Sequence, residues 1–92
     1  YVESQGHEQC LHMIGWSKEE LYTRLTMAQL EELLFPQGFL RIHKRFLVNM
    51  AYLQSLQSTG AVLTTGKSLK ASARNYRENQ QKFVDWKTQQ IW

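Results

Sequence analysis

Ninety-two residues suffice for one domain with a single modest core, and 42% apolar with 21% charged residues describes a soluble globular chain, not a disordered one. One cysteine, Cys10, excludes an internal disulfide framework and fits a reducing compartment, while no apolar run approaches the roughly 18–20 residues of a membrane span. The net charge of +3 is unevenly spread: residues 1–35 carry six acids and two bases, residues 36–92 nine bases and two acids, and this asymmetry suggests a face built for a polyanion.

The chain opens on Tyr1-Val2-Glu3, which reads as strand interior and predicts a piece of a longer protein. No basic-then-apolar leader is seen. Gln9 to Ile14 is short and mostly apolar, as a strand requires, and Gly15-Trp16-Ser17-Lys18 follows as a turn. Ser17 to Leu25 carries two conflicting patterns. Ser17 with Glu20 forms a capping box, which argues for a helix. Leu21, Thr23 and Leu25 alternate with Glu20, Tyr22 and Arg24, which argues for the second arm of a hairpin. The local signals lean to helix.

Thr26 to Leu34 is a clearer helix. Thr26 and Gln29 repeat the capping pattern, and Met27, Leu30, Leu33 and Leu34 share a face opposite Glu31 and Glu32. Pro36 and Gly38 stop it. Phe39 to Asn49 then sets apolar residues around Arg41, His43, Lys44 and Arg45. Ala51 to Leu56 and Ala61 to Thr64 read as strands joined through Ser58-Thr59-Gly60. Gly66-Lys67 is another turn, and Ser68 to Ala71 a further short strand. From Arg74 the pattern is helical, with Ser72 a candidate N-cap and Tyr76, Phe83 and Trp86 on one side. The sum is a β-rich α+β arrangement of short strands and two helices.

Four constellations suggest chemistry and fail on spacing or context. Gly66-Lys67-Ser68 resembles the end of a phosphate-binding loop, but the glycine needed five residues earlier is Ala61, and no helix follows Lys67. His7, Cys10, His12 and His43 fit no closed zinc pattern, and Cys10 reads as a small buried hydrophobe. No nucleophile, base and orienting group stand in a catalytic pattern, so the chain reads as a non-enzyme with no cofactor and no metal. Trp16, Trp86 and Trp92 lack the alternate spacing beside basic residues that a base-stacking platform needs, which argues against single-strand or RNA binding.

Three polar sites remain, each in a predicted loop: Ser4-Gln5-Gly6-His7, His43-Lys44-Arg45 and Ser72-Ala73-Arg74. Each alone has a plain explanation. His7 could cap a turn, Lys44 and Arg45 could be solvated, and Arg74 could pair with Glu78 at i+4. Together they put forked or long donors on short connections of a stiff scaffold, which is what reading base edges requires.

The segment Phe39-Leu40-Arg41-Ile42-His43-Lys44-Arg45-Phe46-Leu47-Val48-Asn49 resembles the central signature of the LytTR family, in which an aromatic and Arg-x-His precede a polar pair and then Phe/Tyr-Leu/Val-Val-Asn. Tyr1-Val2-Glu3-Ser4 resembles that family's opening strand and loop. Thr26 to Leu34 resembles its Leu-rich first helix, and Gly66-Lys67-Ser68-Leu69 with Ser72-Ala73-Arg74 its closing hairpin and the Ser-x-Arg before the last helix. The resemblance covers nearly all 92 residues.

It implies about ten short strands in small, mostly antiparallel sheets with two short helical segments. It also implies that Ser17 to Leu25 is mainly strand. The chain would then be a single domain over 1–92, the C-terminal part of a longer bacterial regulator, cytoplasmic, and the output half of a two-component response regulator. It would bind double-stranded promoter DNA at paired direct repeats, with room for a homodimer on DNA and no membrane contact from this segment. By position, His7, Lys44 and Arg74 match the base-reading residues of three loops that enter successive major grooves. Ser4, Arg45, Ser72 and Arg77 match positions that meet the phosphate backbone. The chain departs from the family in having Lys44-Arg45 where members often have Asn, Arg or Lys followed by Ser, an added charge that strengthens attraction to phosphate. The rival reading is a protein-interaction module whose basic half meets an acidic partner. A small nucleotide-binding enzyme, favoured only by Gly66-Lys67-Ser68, is the third.

Overall fold

Eight strands, two helices and three short 3-10 turns follow one another along residues 1–12 and 21–90, the part that the computed structural model describes. Strands β1 (Val2–Gln5), β2 (Glu8–Leu11) and β3 (Leu21–Thr23) come first, then helix α1 (Met27–Leu34) and a 3-10 turn at Phe35–Gln37. Strands β4 (Phe39–His43) and β5 (Phe46–Asn49) follow, and a second 3-10 turn at Met50–Tyr52 leads to β6 (Leu53–Leu56), β7 (Gly60–Leu63) and β8 (Ser68–Lys70). A third 3-10 turn, Ala73–Asn75, runs directly into helix α2 (Tyr76–Gln90).

The strands form two antiparallel sheets, one of five strands in the order β3-β2-β1-β5-β4 and one of three in the order β6-β7-β8. The fold is thus β-rich α+β, as expected, with eight strands among the described residues. The expected turn at residues 15–18, Trp16 and Trp92 lie outside those residues, as does the first half of the ambiguous 17–25 segment. Of its second half, Leu21–Thr23 is strand. Cross-strand pairing of Tyr22 with Cys10 and of Leu21 with Leu11 overrides the local helix signal.

Helix α1 begins where the sequence says it should. The Thr26 hydroxyl accepts the Gln29 backbone N–H at 3.1 Å, and Gln29 Oε1 accepts the Thr26 N–H at 2.9 Å. Pro36 does not stop the chain outright; it sits in the 3-10 turn, where its missing N–H costs nothing. Gly38 ends that turn at φ +91°, and a Cβ there would lie 3.1 Å from the Trp86 indole nitrogen, so this glycine answers to both backbone and packing.

Several expected element bounds shift by a residue or more. The strand assigned to Ala51–Leu56 starts only at Leu53, because Asn49 Oδ1 accepts the Ala51 N–H at 3.0 Å and folds residues 50–52 into a 3-10 turn. Ser72 precedes the last helix as expected, but its side chain makes no capping bond. Its backbone N–H instead donates to the Ile42 carbonyl at 2.7 Å and ties the chain to β4.

The five-stranded sheet is covered on both faces. On one side Val2 and Leu47 meet Met27 and Leu30 of α1. On the other, Leu40, Ile42 and Val48 join Leu53, Leu56, Ala61, Leu63 and Leu69 of the second sheet and Phe83 of α2, with Tyr76 and Trp86 packed against them. Consecutive Leu47 and Val48 are both fully buried for this reason. Among the described residues no helix is long and apolar enough to cross a membrane.

Candidate nucleic-acid interface

The first of the three predicted sites is a two-residue hairpin. Gln5 pairs with Glu8, so Gly6-His7 alone joins β1 to β2, with Gly6 at φ +66° and His7 exposed at the tip. The second is also a two-residue connection. His43 pairs with Phe46, leaving Lys44-Arg45 between β4 and β5. A register shift between Arg41 and His43 bends β4 just before this tip, as bulges do where a strand must re-aim a side chain.

These two tips stand at the same end of the five-stranded sheet, because β1 and β5 are antiparallel neighbours. Glu3 pairs with Phe46, and the Ser4 N–H donates to the Arg45 carbonyl at 2.9 Å. Arg45 Nη2 in turn donates to the Ser4 carbonyl at 3.4 Å. The third site adjoins the second through the Ser72–Ile42 bond, so Ser72, Arg74, His43 and Lys44 line one groove between β4 and α2. Arg77 is exposed in the first turn of α2, outside that groove. Of the seven residues singled out in the sequence, Ser72, Arg74 and Lys44 share the groove. Ser4 and Arg45 are bonded neighbours beside it, His7 tops the adjacent hairpin, and Arg77 stands apart.

The Lys44–Arg45 turn is held from three directions. Arg41 Nη2 donates to the Lys44 carbonyl at 3.0 Å, and the same guanidinium reaches Glu31 of α1 at 3.4 Å. His43 Nδ1 accepts the Arg45 N–H at 3.1 Å, and Ser4 binds the Arg45 carbonyl. Backbone groups are thereby satisfied inside the protein, while the Lys44 and Arg74 side chains have no partner among the described residues. Glu78, the candidate partner of Arg74, pairs with Lys82 at 3.4 Å instead. A turn backbone held in this way leaves the ordering cost of binding to the Lys44 and Arg74 side chains themselves.

A second depression continues from Lys44 and Arg45 onto β8 and its preceding turn, and takes in Lys67 and Lys70. The sequence places both lysines in the closing hairpin and, beyond the phosphate-loop likeness at Lys67, assigns them no site. The available signal was that Ser68 and Lys70 flank an apolar Leu69 and so face away from the core.

His43 is the titratable centre of the region. Its acceptor Nδ1 requires the proton on Nε2. Burial pushes its pKa below the ordinary 6.5, and the charges of Lys44, Arg45 and Lys70 push the same way. The folded state therefore prefers neutral His43. The associated stability is fully present above the unfolded value and is lost as pH falls through the lower folded one. We expect His43→Asn, which keeps an acceptor near the Nδ1 position, to lessen the fall in melting temperature between about pH 7.5 and 5. Superimposable melting-temperature profiles for the two proteins contradict this.

A family model described as the LytTr DNA-binding domain matches residues 1–83, a span that includes all three sites and ends at the buried Phe83. The chain belongs to the LytTR DNA-binding domain family. Comparison with curated proteins and with solved structures returns no match. LytTR domains bind DNA in transcription regulation, and the family is one of DNA-binding domains rather than of enzymes.

Proposed function

We propose that this LytTR domain is the cytoplasmic output domain of a bacterial two-component response regulator, joined in the longer protein to an N-terminal part. It binds double-stranded promoter DNA sequence-specifically, by dipping three connections into successive major grooves at paired direct repeats, with one copy of the domain on each repeat. His7, Lys44 and Arg74 read bases. Ser4, Arg45, Ser72 and Arg77 meet phosphates. The observation that carries the reading is the adjacency of the Gly6-His7, Lys44-Arg45 and Ser72–Arg74 segments, the first two at one sheet end and the third bonded to β4 beside them.

The chemistry suits these roles. Arg74 can donate two bonds to guanine O6 and N7, Lys44 reaches the same acceptors as a point charge, and neutral His7 can donate to one acceptor or accept from one donor. The phosphate contacts add affinity without sequence choice. Arg45→Ala and Arg77→Ala should each weaken cognate and scrambled duplexes alike and flatten the salt dependence by about 0.9 in log–log slope. Electrophoretic shifts across a salt series test this. Loss confined to the cognate duplex contradicts the phosphate role. A basic module for an acidic protein predicts the same affinity for every duplex sequence.

A further inference from the structure

We propose that Lys67 and Lys70 form a second phosphate-binding ridge, which carries the duplex footprint past the Lys44–Arg45 turn onto the β7–β8 hairpin. The inference rests on the reading of this domain as a duplex binder and adds to it a contact that none of the three base-reading segments supplies.

The ridge is built into the fold. Gly66, at φ +91°, turns the chain, and its N–H donates to the Leu63 carbonyl at 2.9 Å while the Leu63 N–H donates to the Lys67 carbonyl at 2.8 Å. Leu69 is buried opposite Ala61 and locks the register, so Ser68 and Lys70 face outward. The end of the strand is fastened by the Ala71 N–H on the Thr59 carbonyl at 3.2 Å. Tyr1 lines the same depression as Lys67.

Charge is concentrated there. Lys44, Arg45, Lys67 and Lys70 line one depression with a single acid, Glu3, which is already engaged by His12 at 3.2 Å. Four bases against one acid leave +3, which equals the net charge of the whole chain. Neither Lys67 nor Lys70 has an acidic partner among the described residues. The neighbouring groove differs, since there Glu31 pairs with Arg41 and Glu78 with Lys82.

The chemistry favours a nucleic-acid backbone over an acidic protein. Protein interfaces place exposed aromatic and apolar groups at their centre and are depleted in lysine. Among the described residues the large exposed hydrophobics, such as Leu21, Tyr22, Leu33, Phe35 and Val84, lie outside this depression. Lysine ends on a fixed hairpin, continuous with Lys44 and Arg45, suit evenly spaced phosphates that are bound as charges and not read as bases.

The test compares the domain with its Lys67→Gln/Lys70→Gln variant on cognate and scrambled duplexes over a salt series, with thermal melts confirming that both are folded. Losing two phosphate contacts should lower the salt slope by about 1.8, which amounts to about 30-fold weaker binding at 0.15 M relative to 1 M salt, equally on both duplexes. Lys87→Gln, far along α2, should leave the slope unchanged. An unchanged slope in the double variant, while Arg45→Ala still weakens both duplexes, overturns the ridge and spares the domain's function. An equal effect from Lys87→Gln also overturns it, by reducing the effect to net charge. A domain that binds no duplex at any salt overturns the ridge together with the reading beneath it.

Discussion

Replacing Arg74 by alanine is expected to erase discrimination at one base pair, at a cost of about 1–3 kcal/mol or roughly 5- to 150-fold between the preferred and the wrong base. Position decides what Arg74 can reach. Ser72 fastens the chain to Ile42, so Arg74 leaves the 3-10 turn beside Lys44, exposed and without an ion-pair partner among the described residues. A guanidinium fork held near a groove floor by backbone bonds can choose guanine by two parallel hydrogen bonds, which a lone charge cannot do. Competition between the cognate duplex and one altered at a single base pair reads the effect. Binding to scrambled duplex should weaken only by the loss of one charge. Equal loss on both duplexes contradicts a base-reading role for Arg74.

Leu47→Ala should be the most destabilising of the single changes considered, by about 2–5 kcal/mol. Leu47 is 0% exposed in the strand that joins the two halves of the sheet, with β1 on one side and β4 on the other. Its side chain meets Val2, Met27 and Leu30, so truncation leaves a cavity between sheet and helix. For a domain of this size total stability is of order 5–15 kcal/mol, and the loss is a large share of it. Urea unfolding should show a much lower midpoint with an unchanged slope. The same strand fixes both hairpin tips, so the folded fraction and the DNA-binding fraction should fall together. A loss below about 1 kcal/mol contradicts the packing described for this strand.

How far the sequence carried these conclusions depends on how local each signal is. The capping box at Thr26 and Gln29 announces α1 and is found at α1, because the bonds it makes are all within four residues. Strand β3 is legible only in part. The alternation in the sequence offers a hairpin arm against the capping signal, and with Leu21 and Tyr22 both exposed the choice is made by pairing with β2. The two-sided burial of Leu47 and Val48 breaks the period of two, since it depends on a second layer that no local pattern reveals. Ser72 looks like a cap by residue type, yet its backbone does the fastening.

The candidate interface divides along the same line. Short connections with polar tips at positions 7, 44 and 74 are readable, because turn chemistry is local. Their supports are not. Arg41 bridging Glu31 to the Lys44 carbonyl, His43 receiving the Arg45 N–H, and Lys67 and Lys70 joining Lys44 and Arg45 all depend on the register of β4 with β5 and on how the second sheet lies over the first. The resemblance to LytTR domains supplies the positions proposed to face DNA, but the bonds that hold those positions still belong to this chain's own packing.

The most direct test of the three-point docking is guanine N7 methylation protection on a duplex selected by the domain from a random pool. N7 lies in the major groove, so each inserted tip should shield its own guanines. Three inserted tips should give protected clusters on one face of the duplex, repeating with the helical period of about 10–10.5 base pairs, one of which disappears with Arg74→Ala. A bound duplex with no N7 protection, or with protection untouched by substitutions at His7, Lys44 and Arg74 alike, would contradict the three-point docking.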